Sequence, residues 1–287
     1  MTPMQLPYSR FLWTVVLTVL FSLPNWVFSQ EDFNRKKVCE DLPRQDQLTK
    51  ILKDIVKDPD GNGGLGNDMW GTIVNRDGVV CSVTFSGEDR GDQWPGSRVI
   101  SAQKANTANA FSLPKKAGGA LPGLALSTAN LYSAVQSGGS LFGLQLSNPV
   151  DSRAAYRGNP KNYGTLKDPL VGRKVGGINV FGGGLGLYDS QGNLVGALGV
   201  SGDTSCTDHV IAWKVRDGLN LDHVPVGISP TSDDNIIFDI AVDPSTGLGV
   251  SKGGFGHPLS CPGAAVRNIA EQLPQSHPIG PNPKKQN

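Results

Sequence analysis

Cys206-Thr207-Asp208-His209 sets a thiol and an imidazole three positions apart, the spacing of half a metal site, with Asp208 between them as a group that can hold or move a proton. A complete zinc pattern needs a second such pair, and c-type haem attachment needs Cys-x-x-Cys-His. His209 also stands alone as a candidate. It falls in the first turn of an expected helix, where an imidazole is placed to coordinate iron or to receive an anion. His223, His257 and His277 fall in loops or in the tail. Gly199-Val200-Ser201-Gly202-Asp203 comes near a serine nucleophile elbow, which requires Gly-x-Ser-x-Gly on a strand-to-helix turn. The fifth residue is Asp, so spacing yields no triad. A hydrolase or lyase using Ser201, Asp203 and Asp208 stands beside a plainer reading, a strand-to-helix connection turned by Gly202 and Asp203. The run Phe181-Gly-Gly-Gly-Leu-Gly186 precedes a strand and lacks Gly-x-Gly-x-x-Gly, so it reads as a bulge or a close strand contact, not as a phosphate loop.

These residues sit in a chain of 287 residues with 37 Gly and 20 Pro, enough for one large domain or two small ones, rich in loops. No Gly-X-Y period appears, and 38% hydrophobic residues exclude collagen and bulk disorder. The 26 Lys and Arg balance 25 Asp and Glu, so no basic stripe exists to hold a phosphate backbone and nucleic acid is not an expected partner. Phe11 to Leu23 is an apolar run behind Arg10, broken at Pro24 before a small-residue site. It has the pattern of a secretory signal peptide spanning 1–29, and it is short for a membrane-crossing helix of roughly 20 residues. The expected address is periplasmic or secreted, with no membrane anchor after cleavage. Four cysteines in an exported chain make disulfides the default. Three pairings are open, and the neighbouring sequence favours Cys39 with Cys81 and Cys206 with Cys261.

Hydrophobic spacing supplies the elements that must position the candidates. Leu48, Ile51, Leu52 and Ile55 predict a helix over 42–57, with Asp41 as its cap. Trp70–Asn75 and Val79–Phe85 flank Arg76-Asp77-Gly78 and predict a hairpin. Helices follow over 97–113 and 127–136. Residues 147–175 carry no clear periodicity and read as an insertion. Strands are expected at 177–181, 184–188 and 194–200, the last apolar or glycine on both alternating sets and therefore central and covered on both sides. A helix over 207–219 with Ser205 or Thr207 as cap, a strand at 236–242, and a disordered tail over 263–287 complete the pattern. The domain then runs from 30 to 262. The order lacks a βαβ rhythm and describes an α+β fold.

Two blocks, Thr72 to Leu113 and Gly176 to Leu219, resemble the haem-binding GlcG/HbpS-like family. The first carries the Asp-Gly hairpin and Ser97, Ala102, Lys104 and Ala105 of a Ser-x-x-x-x-Ala-x-Lys-Ala helix. The second carries Gly176-Gly177-Ile178, the Gly196–Gly202 run and Asp208. The resemblance implies a profilin-like central antiparallel sheet flanked by helices, assembled into homo-oligomers, and a haem or corrin-like tetrapyrrole ligand. Within and beside those blocks His209, Asp208, Ser201, Gly202, Asp203, Lys104 and Gly177 are the expected ligand site, with His209 as the expected nitrogen for haem iron because the other three histidines lie outside both blocks. The expected function is that of an exported binding protein, non-catalytic, with the hydrolase and a ligand-free oligomeric scaffold as alternatives. The chain departs from the family in its length, its four cysteines and a first helix without His.

Overall fold

The computed structural model describes residues 37–117, 122–259, 261 and 264–280. The expected signal peptide therefore lies outside the described residues. The chain divides into two units, 1–38 and 39–287, and the elements below belong to the second. Among the described residues no helix is long and apolar enough to cross a membrane.

Four antiparallel strands form the central sheet in the order β2-β1-β4-β3, with β1 at Trp70–Asn75, β2 at Val80–Phe85, β3 at Gly184–Tyr188 and β4 at Leu194–Ser201. β1 and β4 are inner strands, each paired on both edges. The hairpin closes where expected: Gly78 takes φ +74°, and the side chain of Asn75 accepts from the Asp77 and Val79 N–H groups. On one face lies helix α2 (Ser97–Phe111), packed on β4, β1 and β3. The opposite face carries α1 (Gln45–Val56) on β2 and β1, and α3 (Ser205–Gly218) on β4 and β3. The expected α+β class, an antiparallel sheet flanked by helices, is the observed one.

The glycines of β4 explain how a helix sits so close to it. A Cβ on Gly199 would collide with the carbonyl oxygen of Ser101 in α2. The small side chains Ala102, Ala105 and Ala108 share that contact and are fully buried. Both faces of β4 are covered, as the alternation of its sequence required.

Several boundaries differ from expectation. Residues 177–181 run outside any strand, and only Ile240–Val242 of 236–242 is a strand, β5, paired with β6 (Gly249–Ser251). The segment over 127–136 forms two 3-10 turns, Thr128–Leu131 and Ser133–Val135. The cap of α3 is Thr204, whose hydroxyl accepts from the Thr207 N–H, and not Ser205 or Thr207. The aperiodic 147–175 segment is not loose. It buries Ala155, Leu170 and Val175 against β2 and α2, and Asp168 receives the buried guanidinium of Arg98, whose Nε donates over 2.9 Å.

The expected disorder from 263 is corrected by helix α4 (Ala264–Ser276), which buries Val266, Ala270 and Leu273 in the same core as α3. The spacing 266, 270, 273 is helical, but prolines and polar residues around it hid the stripe. Residues 281–287 lie outside the described residues. Both favoured disulfides are present, Cys39–Cys81 and Cys206–Cys261.

Candidate functional site

A cleft of about 190 Å³ opens where the C-terminal end of β4 meets the N-terminus of α3, under the exposed rings of Trp94 and Phe181. Lys104, Ser201, Asp203, Asp208 and Ser205 line it. Four of the residues expected at a ligand site are therefore brought together by the end of one strand, one turn and two helices. Gly202 belongs to the same turn, and its N–H donates to Asp208 Oδ1 over 3.1 Å. Gly177 does not belong. It lies beside Gln103, and its carbonyl accepts from Asn106 on the outer side of α2.

The floor is a buried ion pair. Lys104 Nζ donates to Asp208 Oδ2 over 2.5 Å and to the Val200 carbonyl over 3.1 Å, while Asp208 Oδ1 also accepts the Asp203 N–H at 2.9 Å. Burial pulls Lys104 below the ordinary lysine range and lifts Asp208 to about 6, with the mutual attraction opposing both shifts. The run Gly182-Gly183-Gly184 passes over this pair: a Cβ on Gly183 would strike the Val200 carbonyl and one on Gly182 the Ser205 carbonyl. The glycines are there for close approach of backbones, as read from the sequence.

Asp203 is engaged by the backbone around it. Its carboxylate accepts the N–H groups of Leu65, Asn67 and Thr204, at 3.0, 3.0 and 2.6 Å, and so ties the Gly-rich loop before β1 to the start of α3. Ser201 has no hydrogen-bonded side-chain partner among the described residues, so no base reaches it. The hydrolase reading built on Ser201, Asp203 and Asp208 is thus not assembled here.

His209 is corrected as well. It points into the core, fully buried, with Nε2 at 3.1 Å from both Asn235 Oδ1 and the Ile236 nitrogen. Burial pushes its pKa down to about 3. None of the clefts described here reaches it, and the Cys206 sulfur is committed to its disulfide, so the half metal site disappears.

Sequence reasoning passed over Ser205 and His257. Ser205 Oγ and His257 Nε2 are 2.7 Å apart at the cleft's edge, although 52 positions separate them in the chain. The Cys206–Cys261 bridge joins the residue beside Ser205 to one four positions past His257, which is the signal that could have found them.

The haem degrading protein HbpS-like family matches residues 66–216, more than half of the chain. The chain belongs to the HbpS-like family. The match begins just before β1 and ends within α3, so it contains the sheet, α2 and the Lys104–Asp208 pair. It excludes α1, β5, β6, α4 and His257, which are this chain's additions to the matched segment. No curated protein matches the chain. Among solved structures, the crystal structure of a PduOC:heme complex is 23% identical with a TM-score of 0.40, covering 61% of this chain and 91% of that one. The Klebsiella pneumoniae protein ORFY, of family DUF336, is 23% identical with a TM-score of 0.36, covering 60% of this chain and 87% of that one.

A haem in this HbpS-like chain must find room and partners. The cleft at Lys104 is smaller than the roughly 300–1,000 Å³ of pockets that enclose ligands. His209 is closed off, and both ring nitrogens of His257 are engaged, with Ser205 and with the Pro258 carbonyl. An open groove of about 570 Å³ between α1 and residues 163–167 does have the room. Phe85 and Leu166 give it apolar walls, Lys167 supplies a cation for a carboxylate, Lys53 lies at the rim paired with Glu88 over 3.3 Å, and no imidazole or sulfur lines it. The residues fit a flat ring with acidic substituents and do not fit axial ligation of its iron by histidine.

Proposed function

We propose that this HbpS-like protein is exported and binds haem or a similar flat tetrapyrrole in the groove between α1 and residues 163–167, by the faces and carboxylates of the ring. The observation that carries the reading is the room in that groove together with Lys167 and the Lys53–Glu88 pair at its rim, in a chain whose family is described as haem degrading. The role we assign is binding of the ring, since no imidazole or sulfur that could ligate its iron lines the groove. Export is supported by two disulfides, which persist in oxidising compartments. Assembly into a homo-oligomer is supported by Val242, Leu248 and Val250, large apolar side chains exposed on and beside the β5–β6 hairpin.

Titration with hemin and, separately, with metal-free protoporphyrin IX tests the reading. Both rings are expected to saturate one site with similar affinity, and hemin is expected to give no low-spin bis-nitrogen spectrum. Reversing both lysines, Lys53→Glu with Lys167→Glu, is expected to weaken either ring about tenfold, from exposed pairs worth up to about 1 kcal/mol each. Absence of saturable binding, or hemin binding that the metal-free ring does not share, overturns the proposal.

A further inference from the structure

We propose that Ser205 and His257 form a nucleophile and base that hydrolyse small, uncharged acyl esters in the cleft beside Lys104. His257 Nδ1 lies 2.8 Å from the Pro258 carbonyl, which can only accept, so Nδ1 carries the ring proton and Nε2 is bare. Ser205 Oγ, 2.7 Å from Nε2, is then the donor, which is the arrangement of an activated serine with its base oriented by a third group. The Gly182 N–H donates to the same Oγ over 2.7 Å. Ser205 also opens α3, a helix of 14 residues whose dipole favours negative charge at that end. Both favour the serine oxygen as it gives up its proton to His257.

The imidazole is held on every side. The Tyr132 and Phe238 rings lie with centroids 5.3 and 6.4 Å from its own, and the Cys206–Cys261 bridge fastens its segment to the first turn of α3. Burial, with Lys104 on α2 nearby, holds His257 down to about 4, so the ring is neutral at pH 7. The substrate class follows from the cleft. Lys104 and Asp208 on its floor neutralise one another, the Asp203 carboxylate is held by backbone N–H groups, and Trp94, Ile100 and Phe181 give it an apolar rim around about 190 Å³, which suits a short acyl group. Ser205 Oγ bonds to the ester carbonyl carbon as its proton passes to His257 Nε2, and the C=O π pair moves onto the carbonyl oxygen, to return as the leaving group departs. The carbon–alkoxide bond then breaks, and the same proton leaves on the alcohol. Water attacks the acyl-serine, gives a proton to Nε2, and releases the carboxylic acid as Ser205 regains its hydrogen.

The site lies apart from the groove at α1 and does not depend on ring binding, so either reading can fail alone. The test treats the purified protein with a fluorophosphonate probe, maps the labelled peptide, and follows p-nitrophenyl butyrate hydrolysis. Label on Ser205 and a burst of about one p-nitrophenol per chain are expected. Ser205→Ala should abolish both. His257→Gln should slow labelling about a hundredfold or more, as expected for loss of a general base, with circular dichroism unchanged. Cys206→Ser with Cys261→Ser should slow labelling by releasing His257. No label on the folded protein, label on another residue, or label on Ser205 that survives His257→Gln at full rate overturns the proposal.

Discussion

Lys104 Nζ and Asp208 Oδ2 meet at 2.5 Å with both side chains out of solvent, joining the helix on one face of the sheet to the helix on the other. The contact passes the end of β4, where Lys104 also holds the Val200 carbonyl and Asp208 the N–H groups of Gly202 and Asp203. The pair therefore fixes the turn from β4 into α3, and with it the position of Ser205.

Removing one member strands the other charge with its side chain out of solvent. Lys104→Met is expected to lower stability by about 3–5 kcal/mol. Adding Asp208→Asn should recover part of that loss, because the amide oxygen still accepts from the Gly202 and Asp203 N–H groups and carries no charge. Urea unfolding of the three proteins decides it. A loss below about 1 kcal/mol in the single variant would mean that the pair is solvated.

The Cys206–Cys261 bridge spans 55 positions, for which chain entropy predicts a stabilisation of about 4 kcal/mol. Its loss should be felt first in α4, which rests on α3 through Val266, Ala270 and Leu273 and through the Trp213 Nε1 bond to the His277 carbonyl. Cys206→Ser with Cys261→Ser is expected to lower Tm and shift Trp213 emission to the red while the sheet's circular dichroism persists. An unchanged emission maximum would show that α4 holds its place without the bridge.

Inner strand β4 is covered by α2 on one face and α3 on the other, and its partners on both edges are paired. The amides of Leu198 to Val200 are expected to be among the slowest to exchange in the protein, opening only with global unfolding. The β5–β6 pair, with Val242 and Val250 exposed, is expected to exchange orders of magnitude faster. Similar rates in the two would contradict the described layering.

The sequence made the scaffold readable where burial imposes a period. Leu48 and Leu52 mark α1, the two-sided apolar alternation of 194–200 marks an inner strand, and Asp77-Gly78 marks the hairpin turn. It made Ser201, Asp203 and Asp208 readable as neighbours, because a strand, a turn and a helix start follow one another there, and Lys104 joined them only through the family resemblance. It did not show that Asp203 spends its carboxylate on the Leu65 and Asn67 N–H groups, 138 and 136 positions away. His209 was misread for a similar reason. A first-turn position fixes where a side chain begins, and only the packing of Ile236 and Asn235 over that helix decides whether it ends in solvent or in the core. Ser205 and His257 lie near the two ends of the expected disulfide, but a serine at a helix start already has a capping role in the sequence pattern, and nothing local pairs it with a histidine 52 positions on.

The buried histidines set the acid limb of stability. Burial holds His209 at about 3 and His257 at about 4, against about 6.5 in the unfolded chain, so each takes up its proton in the unfolded state first. Their contribution is whole above about pH 6.5 and is lost as pH falls toward 4. Asp208 works in the opposite sense: raised to about 6, it binds a proton in the folded state before the unfolded one does and regains part of the loss below pH 6. Between pH 4 and 6 the unfolded state should therefore hold about one proton more, a slope of about 1.4 kcal/mol per pH unit. His209→Gln removes one of the two imidazoles and should flatten that slope nearly to zero, whatever it does to stability at pH 7. Urea unfolding at half-unit intervals from pH 4.5 to 7.5 measures both slopes. An equal slope in wild type and variant would show that His209 exchanges protons with solvent in the folded protein, and that the core around Asn235 and Ile236 is open to water.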